Sequence, residues 1–259
     1  MRELQVCAGG RHPFHGTEVA KLAIGDIPDW GFECAEELLD VLLHSQPPFP
    51  CTFAVIAAKQ GTLRFGFIES ADGQQAQVLL AKIFSGYLSS YQSIGRYTSL
   101  IVFFRPDPQP LAIMEYYERF WAVLQRLHDE DPEFWPVEIP PDPDNPRWEF
   151  SFGGTPMFTV CSTPAHVLRK SRSSRGLIIT FQPRWVFEGL EPDTSKGIEA
   201  RRVIRERLHA FDGIEPHPEL GFYGDASKRE WKQYFLPDEN DFQESACPFQ
   251  VNNGASQAW

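Results

Sequence analysis

A short basic segment is the part of this sequence whose residue types best suit a chemical site. In TPAHVLRKSRSSR (163–175), His166, Arg169, Arg172 and Arg175 recur every three residues. An imidazole can ligate a metal ion, and guanidinium groups hold carboxylates or phosphates through paired hydrogen bonds. Because the whole chain carries a net charge of −11, this cationic cluster indicates either an anionic ligand or acidic segments that fold back onto it.

Heme would use three features of this region. Its iron takes an imidazole or a thiolate ligand, its propionates suit arginines, and its flat apolar disc suits aromatic surroundings, which a chain that is 14% aromatic provides. The competing interpretation is structural. In that case the arginines pair with Asp and Glu of acidic helices, and His166 is a capped surface residue. The spacing alone leaves both interpretations open.

Cys51 is a second candidate metal ligand. It follows the prolines of QPPFPC (46–51), which fix the backbone in front of an apolar run. A thiolate in that position suits axial ligation of heme iron, and thiolate ligation supports oxygen activation. The alternative is that Cys51 is a small buried apolar residue, which is a common role for cysteine. Cys161 lies inside an apolar run and has that structural character.

Composition narrows the class of protein. The five cysteines are scattered and contain no C-x-x-C pair, which argues against a zinc ribbon and suits a reducing cytoplasm. The acidic charge argues against binding to nucleic acid or to anionic membranes. The first residues do not read as a signal peptide, and no apolar run is long enough to cross a bilayer. We therefore expect a cytoplasmic protein that binds neither nucleic acid nor membrane.

Hydrophobic periodicity indicates the elements that position these residues. Helices are predicted over 30–45, 74–91, 115–131 and 196–213. TFAVIAA (52–58) and LRFGFIE (63–69) are predicted to form a β-hairpin around a glycine turn. Further strands are predicted at 99–106, which is apolar enough to be central, and at 148–152, 157–162 and 177–182.

Two connecting segments receive specific predictions. Thr163 as N-cap and Pro164 at the first helical position predict a helix over 163–174, which would place His166, Arg169 and Lys170 on one face. The proline-rich connector 134–148 is predicted to be a strap over the surface, anchored by aromatic residues at 134 and 135. Residues 229–240 are expected to form a short strand or helix.

The order of these elements shows no regular βαβ rhythm. It favours an α+β fold, with a largely antiparallel sheet flanked by helices in a single domain. Residues 1–29 are expected to be a flexible N-terminal arm, and residues 30–259 the domain. Nucleotide-binding and hydrolase signatures are absent. A weaker interpretation is a metal-dependent hydrolase that uses His128, Asp129, His217 or Asp225.

A series of short motifs carries a resemblance to a known family. FPCTFAV (49–55), WEFSFGGTPMF (148–158), STPAHVLRKSR (162–172), HPELGFYGD (217–225) and CPF (247–249) follow one another along the chain. With these motifs the sequence resembles the YqcI/YcgG family over most of its length, the first thirty or so residues excepted.

The resemblance implies a function. Some relatives are understood to be heme-dependent N-oxygenases that hydroxylate guanidine nitrogens of arginine-like amino acids. By that resemblance the chain looks like a heme b-dependent oxygenase that N-hydroxylates a guanidine or amine group. A cationic small-molecule substrate and an electron-donor protein would be its partners, and Glu149 or Glu230 would pair with the substrate cation.

The resemblance also assigns cofactor contacts without deciding between them. Cys51 and His166 are rival ligands to the iron, and Arg169, Arg172 and Arg184 are partners for propionates or for a substrate carboxylate. The alternative function is a non-catalytic binding protein whose basic segment recognises an anionic ligand or an acidic partner.

Overall fold

One mixed sheet organises the structure. The computed structural model describes residues 16–241 and 246–252, and within these ranges five strands form one sheet with seven α-helices around it. The strands are β1 Leu63–Ile68, β2 Ser99–Phe104, β3 Ser151–Phe152, β4 Thr155–Ser162 and β5 Ile178–Pro183. The helices are α1 Gly16–Leu22, α2 Asp29–His44, α3 Thr52–Gln60, α4 Gln74–Leu88, α5 Tyr91–Ile94, α6 Ile113–Asp129 and α7 Ser195–Phe211.

The strand order is β1-β2-β5-β4-β3, with β1 parallel to β2 and the other neighbours antiparallel. The predicted α+β fold with a largely antiparallel sheet flanked by helices is therefore confirmed. Strand β2, predicted to be central, lies in the interior of the sheet between β1 and β5, and its apolar sequence SLIVFF is buried at every residue. The β3–β4 hairpin turns at Gly153 and Gly154, whose φ angles of 57° and 66° suit glycine in a tight turn.

Side chains alternate across the strands, so the sheet has two differently covered faces. One face packs against α4 and α6 in a large aromatic core that includes Phe84, Phe120 and Phe181. On the opposite face, α2 and α3 cover β1 and β2 in a second core that includes Leu39, Phe65 and Ile101. The part of that face formed by β4 and β5 lies beneath α7 and is only half-buried along β4.

The hairpin prediction over 52–69 is wrong in its first half. TFAVIAA is helix α3, and it ends at Gly61, whose left-handed φ of 66° lets its amide reach the carbonyls of Ala57 and Ala58. The glycine expected in a hairpin turn is thus a helix C-cap. Short apolar runs without alternation fit a buried strand and a helix equally well, so local pattern does not separate the two.

The helix prediction over 163–174 is also wrong. This segment is a loop with one 3₁₀ turn at Lys170–Arg172. The Asp238 carboxylate accepts hydrogen bonds from the backbone amides of Val167, Leu168 and Arg169 at 2.7–2.8 Å. Because a residue about seventy positions away binds these amides, they do not make helical hydrogen bonds.

Two other segments differ from expectation. Helix α1 lies within the segment expected to be a flexible arm, and its Val19 and Leu22 are buried in the second core; residues 1–15 lie outside the described ranges. In the proline-rich strap, Trp135 stacks on Trp148 at 6.2 Å, whereas Phe134 is 88% exposed and anchors nothing.

The other main elements match their predictions. Helices α2, α4, α6 and α7 lie where periodicity predicts them, and 229–240 contains a 3₁₀ turn at Glu230–Gln233. Among the described residues, none of the helices has the length and apolar character needed to cross a bilayer.

Candidate functional site

A cavity of about 930 Å³ lies between helix α7 and the sheet. This volume is near the upper end of the ~300–1,000 Å³ typical of small-molecule and cofactor sites. Val160 and Thr180 of the neighbouring strands β4 and β5 belong to its floor, and Ile204 and Leu208 line it from α7. Strand alternation and helical spacing therefore turn one apolar stripe of each element towards the same space.

Cys51 lines this cavity at the start of α3. Burial raises the pKa of its thiol, while the backbone amides of Ala54 and Phe53 and the charge of Arg172 act in the opposite direction. The thiol therefore lies in an apolar wall beside a helix N-terminus and a cation, and both of these stabilise a thiolate once a metal replaces the proton.

Arg172 lines the same cavity and is only 8% exposed. Its guanidinium donates hydrogen bonds to the carbonyls of Cys161, Tyr234 and Gln233 at 3.2–3.4 Å. Within residues 16–241 and 246–252 it forms no salt bridge. Burial first, and then the like charge of Arg169, lower its pKa to about 10. A buried cation without a bound carboxylate favours an anionic group in the cavity.

His166 is buried away from the cavity, and both of its ring nitrogens have partners. Nε2 lies 3.0 Å from the carbonyl oxygen of Leu236, and Nδ1 lies 2.9 Å from Oγ1 of Thr163. Burial, followed by the charge of Arg172, lowers its pKa to about 4. The ring is therefore neutral near pH 7. Because a carbonyl accepts, Nε2 carries the hydrogen and Nδ1 accepts from the threonine hydroxyl.

Arg169 is held by the segment that follows the last 3₁₀ turn. Its Nε donates to the carbonyl of Pro237 at 3.0 Å, and its Nη2 donates to Oδ1 of Asn240 at 2.7 Å. Its side chain is 1% exposed. Together with the Asp238 contacts, these bonds fasten the basic loop to residues 237–240, which is a structural role.

Glu149, Arg184 and Glu230 form a buried cluster at another edge of the cavity. Arg184 binds both carboxylate oxygens of Glu149, with its Nε 2.7 Å from Oε2 and its Nη2 on Oε1. The same Nη2 donates to Oε1 of Glu230 at 3.0 Å. The Arg184 guanidinium also lies over the Tyr223 ring, 3.5 Å from its centroid. Glu230, Arg184 and Tyr223 line the cavity, whereas Glu149 lies behind them.

Two carboxylates share one guanidinium in this cluster. Burial, opposed by the charge of Arg184, raises the pKa of Glu149 to about 7. Burial likewise raises the pKa of Glu230, again against the attraction of Arg184. The two carboxylates repel each other, so the cluster favours either a bound proton or an additional cation.

Arg201 and Arg205 are cavity residues that are not among the candidates predicted from the sequence. They lie four residues apart on the face of α7 that lines the cavity. Arg201 donates to the carbonyls of Leu190 and Pro192, and Arg205 donates to that of Leu220. Neither forms a salt bridge within the described residues. Their i, i+4 spacing is visible in the sequence, but nothing local indicates which face of α7 meets a cavity.

The metal-hydrolase interpretation finds no support in the described residues, where no group of three or more His, Cys, Asp or Glu side chains could hold a metal ion. His128 and Asp129 bind Asn252, and Asp225 binds Ser227. His217 is buried elsewhere and accepts from the amide of Glu219.

Comparison with known proteins confirms the resemblance. The model of the YqcI/YcgG family matches residues 38–250. The chain is 40% identical over 228 residues to protein YcgG of Bacillus subtilis (strain 168), covering 86% of this chain and 89% of the relative. It is 39% identical over 226 residues to YqcI of the same strain, with the same coverages.

A third relative carries a functional name. The chain is 32% identical over 235 residues to a Streptomyces lavendulae protein named "Putative N(omega)-hydroxy-L-arginine synthase DcsA", covering 86% of this chain and 85% of the relative. No solved structure matches the chain significantly.

Proposed function

The chain belongs to the YqcI/YcgG family, and from that premise we propose that it N-hydroxylates a guanidine or amine group of an arginine-like small molecule, with heme b as cofactor. The name of the Streptomyces lavendulae relative supports the reaction. The observation that carries the cofactor is the cavity itself, which combines a thiol, a buried arginine without a carboxylate partner among the described residues, and largely apolar walls.

The residues present fit this cofactor. Cys51 would ligate the iron, and Arg172 would pair with a propionate, because it is a buried cation of the cavity whose hydrogen bonds are the long ones, at 3.2–3.4 Å to backbone carbonyls, and it has no salt bridge within the described residues. Arg201 and Arg205 are further cations for the second propionate. Arg169 and Arg184 are less suited. Arg169 makes shorter hydrogen bonds, at 3.0 and 2.7 Å, to Pro237 and Asn240, and two carboxylates already pair with Arg184.

Between the rival iron ligands, the contacts favour Cys51. Its thiol lines the cavity, while His166 would have to break its hydrogen bonds to Thr163 and Leu236 before it could ligate a metal. Each such buried partner left unpaired costs ~1–3 kcal/mol.

The chemistry would come from the bound cofactor. When bound, heme would supply the activation of dioxygen for an N-hydroxylation in which one oxygen atom converts N–H to N–OH and the other becomes water, with two electrons from an electron-donor protein and two protons from solvent. The chain's own residues bind and orient the substrate. Its cationic group would meet Glu230, with Glu149 behind it, and the apolar stripe of α7 would exclude water from the cavity.

A hemin titration tests this proposal. We expect the wild-type protein to give a Soret band characteristic of thiolate ligation. Cys51→Ala should shift or abolish that band, whereas His166→Ala should leave its position unchanged. Cys34→Ala is the matched control, because Cys34 lines the same cavity and should not affect the band. Failure of the wild type to take up hemin would remove the cofactor from the proposal.

The reaction needs its own measurement. Hemin-loaded protein supplied with dioxygen, a reductant and L-arginine should yield a product heavier by one oxygen atom on the guanidine group, detected by mass spectrometry. If hemin binds but neither arginine nor a related guanidine or amine is hydroxylated, the reaction is wrong.

A non-catalytic binding function is the competing proposal, and the lack of a salt bridge to Arg172 among the described residues favours it. A binding protein for an anionic ligand would show an increase in melting temperature with hemin that Arg172→Gln removes, together with no hydroxylated product. Product formation would exclude this alternative.

A further inference from the structure

The cluster at the edge of the cavity holds more negative than positive charge. Glu149 is fully buried and Glu230 is 5% exposed, and both form salt bridges to Arg184. Among the described residues, no other lysine or arginine forms a salt bridge with either carboxylate. When both are ionised, one negative charge is left without a partner in a site that excludes most water, which is energetically costly.

The two carboxylates differ in what they face. Both oxygens of Glu149 accept hydrogen bonds from Arg184, and Glu149 does not line the cavity. Glu230 lines the cavity and uses Oε1 for Arg184. Within the described ranges, its Oε2 receives only a long hydrogen bond of 3.4 Å from Nε2 of Gln233. Oε2 of Glu230 is therefore the acceptor available to a ligand.

This edge of the cavity already accommodates a planar cation. The Arg184 guanidinium has its edge on two carboxylates and its face on the Tyr223 ring. Tyr223 is fixed in turn, because its hydroxyl donates to the carbonyl of Arg147 at 2.7 Å. The arrangement leaves Arg184 little freedom, so it stays as a built-in counter-ion and holds Glu230 in place.

We propose that Glu230 recognises the cationic end of the substrate and selects a guanidinium over a neutral group of the same shape, while Glu149 and Arg184 are positioning residues behind it. The assignment rests on the proposed function, since it names the substrate contact of that reaction. A guanidinium at Oε2 of Glu230 completes the charge balance of two carboxylates with two cations.

The selectivity follows from charge. A urea group presents N–H donors in nearly the same shape as a guanidinium, but it leaves the surplus negative charge uncompensated. Buried sites discriminate most strongly against ligands that leave a charged or polar group without its partner. The site should therefore distinguish L-arginine from L-citrulline, whose side chains end in these two groups.

Calorimetric titration of the full-length protein with the two amino acids tests the proposal. We expect the wild type to bind L-arginine at least ~10-fold more tightly than L-citrulline, and Glu230→Gln to remove this preference by weakening only the arginine complex. Glu188→Gln is the matched control. Glu188 lines the same cavity but is exposed and pairs with Arg96, so the preference should persist.

The role of Glu149 has a separate readout. Because burial raises the pKa of Glu149 to about 7, the free cluster holds a proton part of the time near neutral pH. A bound cation should release it. Titrations in buffers of different ionisation heat measure that release, and Glu149→Gln should abolish it while keeping the preference for arginine.

The outcomes separate this inference from the proposed function. If Glu230→Gln weakens both ligands equally, or the wild type does not discriminate between them, the inference is wrong whatever hemin does. If discrimination depends on Glu230 but hemin does not bind, the recognition site stands and the heme-dependent function fails. Circular dichroism and melting temperature show whether each variant is folded, and Glu230→Asp, which keeps the charge, should retain part of the preference.

Discussion

The two faces of strands β4 and β5 differ in what covers them. On one face Met157, Cys161 and Ile179 are buried in the aromatic core with Phe84 and other rings. On the other face, Phe158, Val160 and Thr180 line the cavity beneath α7. The same hydrogen-bonded pair of strands thus supports a filled face and an open one.

This contrast separates the region that provides stability from the region that can bind a ligand. Close packing makes every atom of the filled face contribute dispersion and burial energy. On the open face the side chains border the cavity and therefore gain less of that packing energy. This face also holds a buried arginine without a salt bridge among the described residues. Natural proteins keep such features where a ligand compensates for them.

Adjacent isoleucines of β5 give the largest expected contrast between the faces. Ile179 is fully buried in the aromatic core, and Ile178 lines the cavity from the second core. Ile179→Ala should destabilise the protein by ~3–4 kcal/mol, because it opens a new void. Ile178→Ala should cost ~1–2 kcal/mol less, since it enlarges a space that already exists. Urea unfolding midpoints measure both, and equal losses would mean that the cavity is filled in solution.

The cluster that borders the cavity should make stability depend on pH. The folded-state pKa of Glu149 is raised from 4.5 to about 7 by burial, against the attraction of Arg184. Between pH 4.5 and about 7 the folded state binds more protons than the unfolded state. The contribution of Glu149 to the stability of the folded state is therefore fully present below pH 4.5 and is lost as the pH rises through about 7. The loss in the free energy of unfolding should be about 3 kcal/mol, since each pKa unit corresponds to about 1.4 kcal/mol.

The measurement is the difference in the free energy of unfolding between wild type and Glu149→Gln, determined by urea unfolding at a series of pH values. The variant cannot ionise there, so the wild type should lose stability relative to it as the pH rises. Parallel curves for the two proteins would contradict the burial of an ionisable carboxylate at this position.

Two threonines provide the smallest and most closely matched contrast. Thr159 faces the aromatic core fully buried, and its Oγ1 has no hydrogen-bond partner within the described residues. Thr159→Val should therefore stabilise the protein by ~1 kcal/mol, because it removes an unsatisfied hydroxyl without changing the shape. Thr180→Val, on the cavity face, should change stability by less than ~0.5 kcal/mol. A destabilised Thr159→Val would indicate a buried water bound to the hydroxyl.

The hydrophobic pattern of the sequence is enough to predict those helices and strands over which the pattern repeats several times. The periodicity of α2, α4, α6 and α7 and the apolar run of β2 each extend over several residues, so they indicate both the type of each element and its approximate position. The α+β class follows from their order. The motifs around Cys51, the basic segment and the 217–225 loop are enough to indicate the family.

Tertiary contacts set the arrangement of the site. The basic segment has the cap and spacing of a helix, yet Asp238 binds its amides and makes it a loop, which separates His166 from the cavity. The family resemblance makes Arg184 and Glu149 candidates, but nothing in the sequence indicates that they bind each other.

The fold class, most helices, the interior strand β2 and the family can all be read from the amino-acid sequence, because these depend on neighbours along the chain. Three-dimensional packing was needed to establish that TFAVIAA is a helix, that Cys51 and Arg172 share one cavity and that Glu230 rather than Glu149 faces it. Those outcomes depend on hydrogen bonds and burial between residues that lie far apart in sequence, for which the local pattern carries no signal.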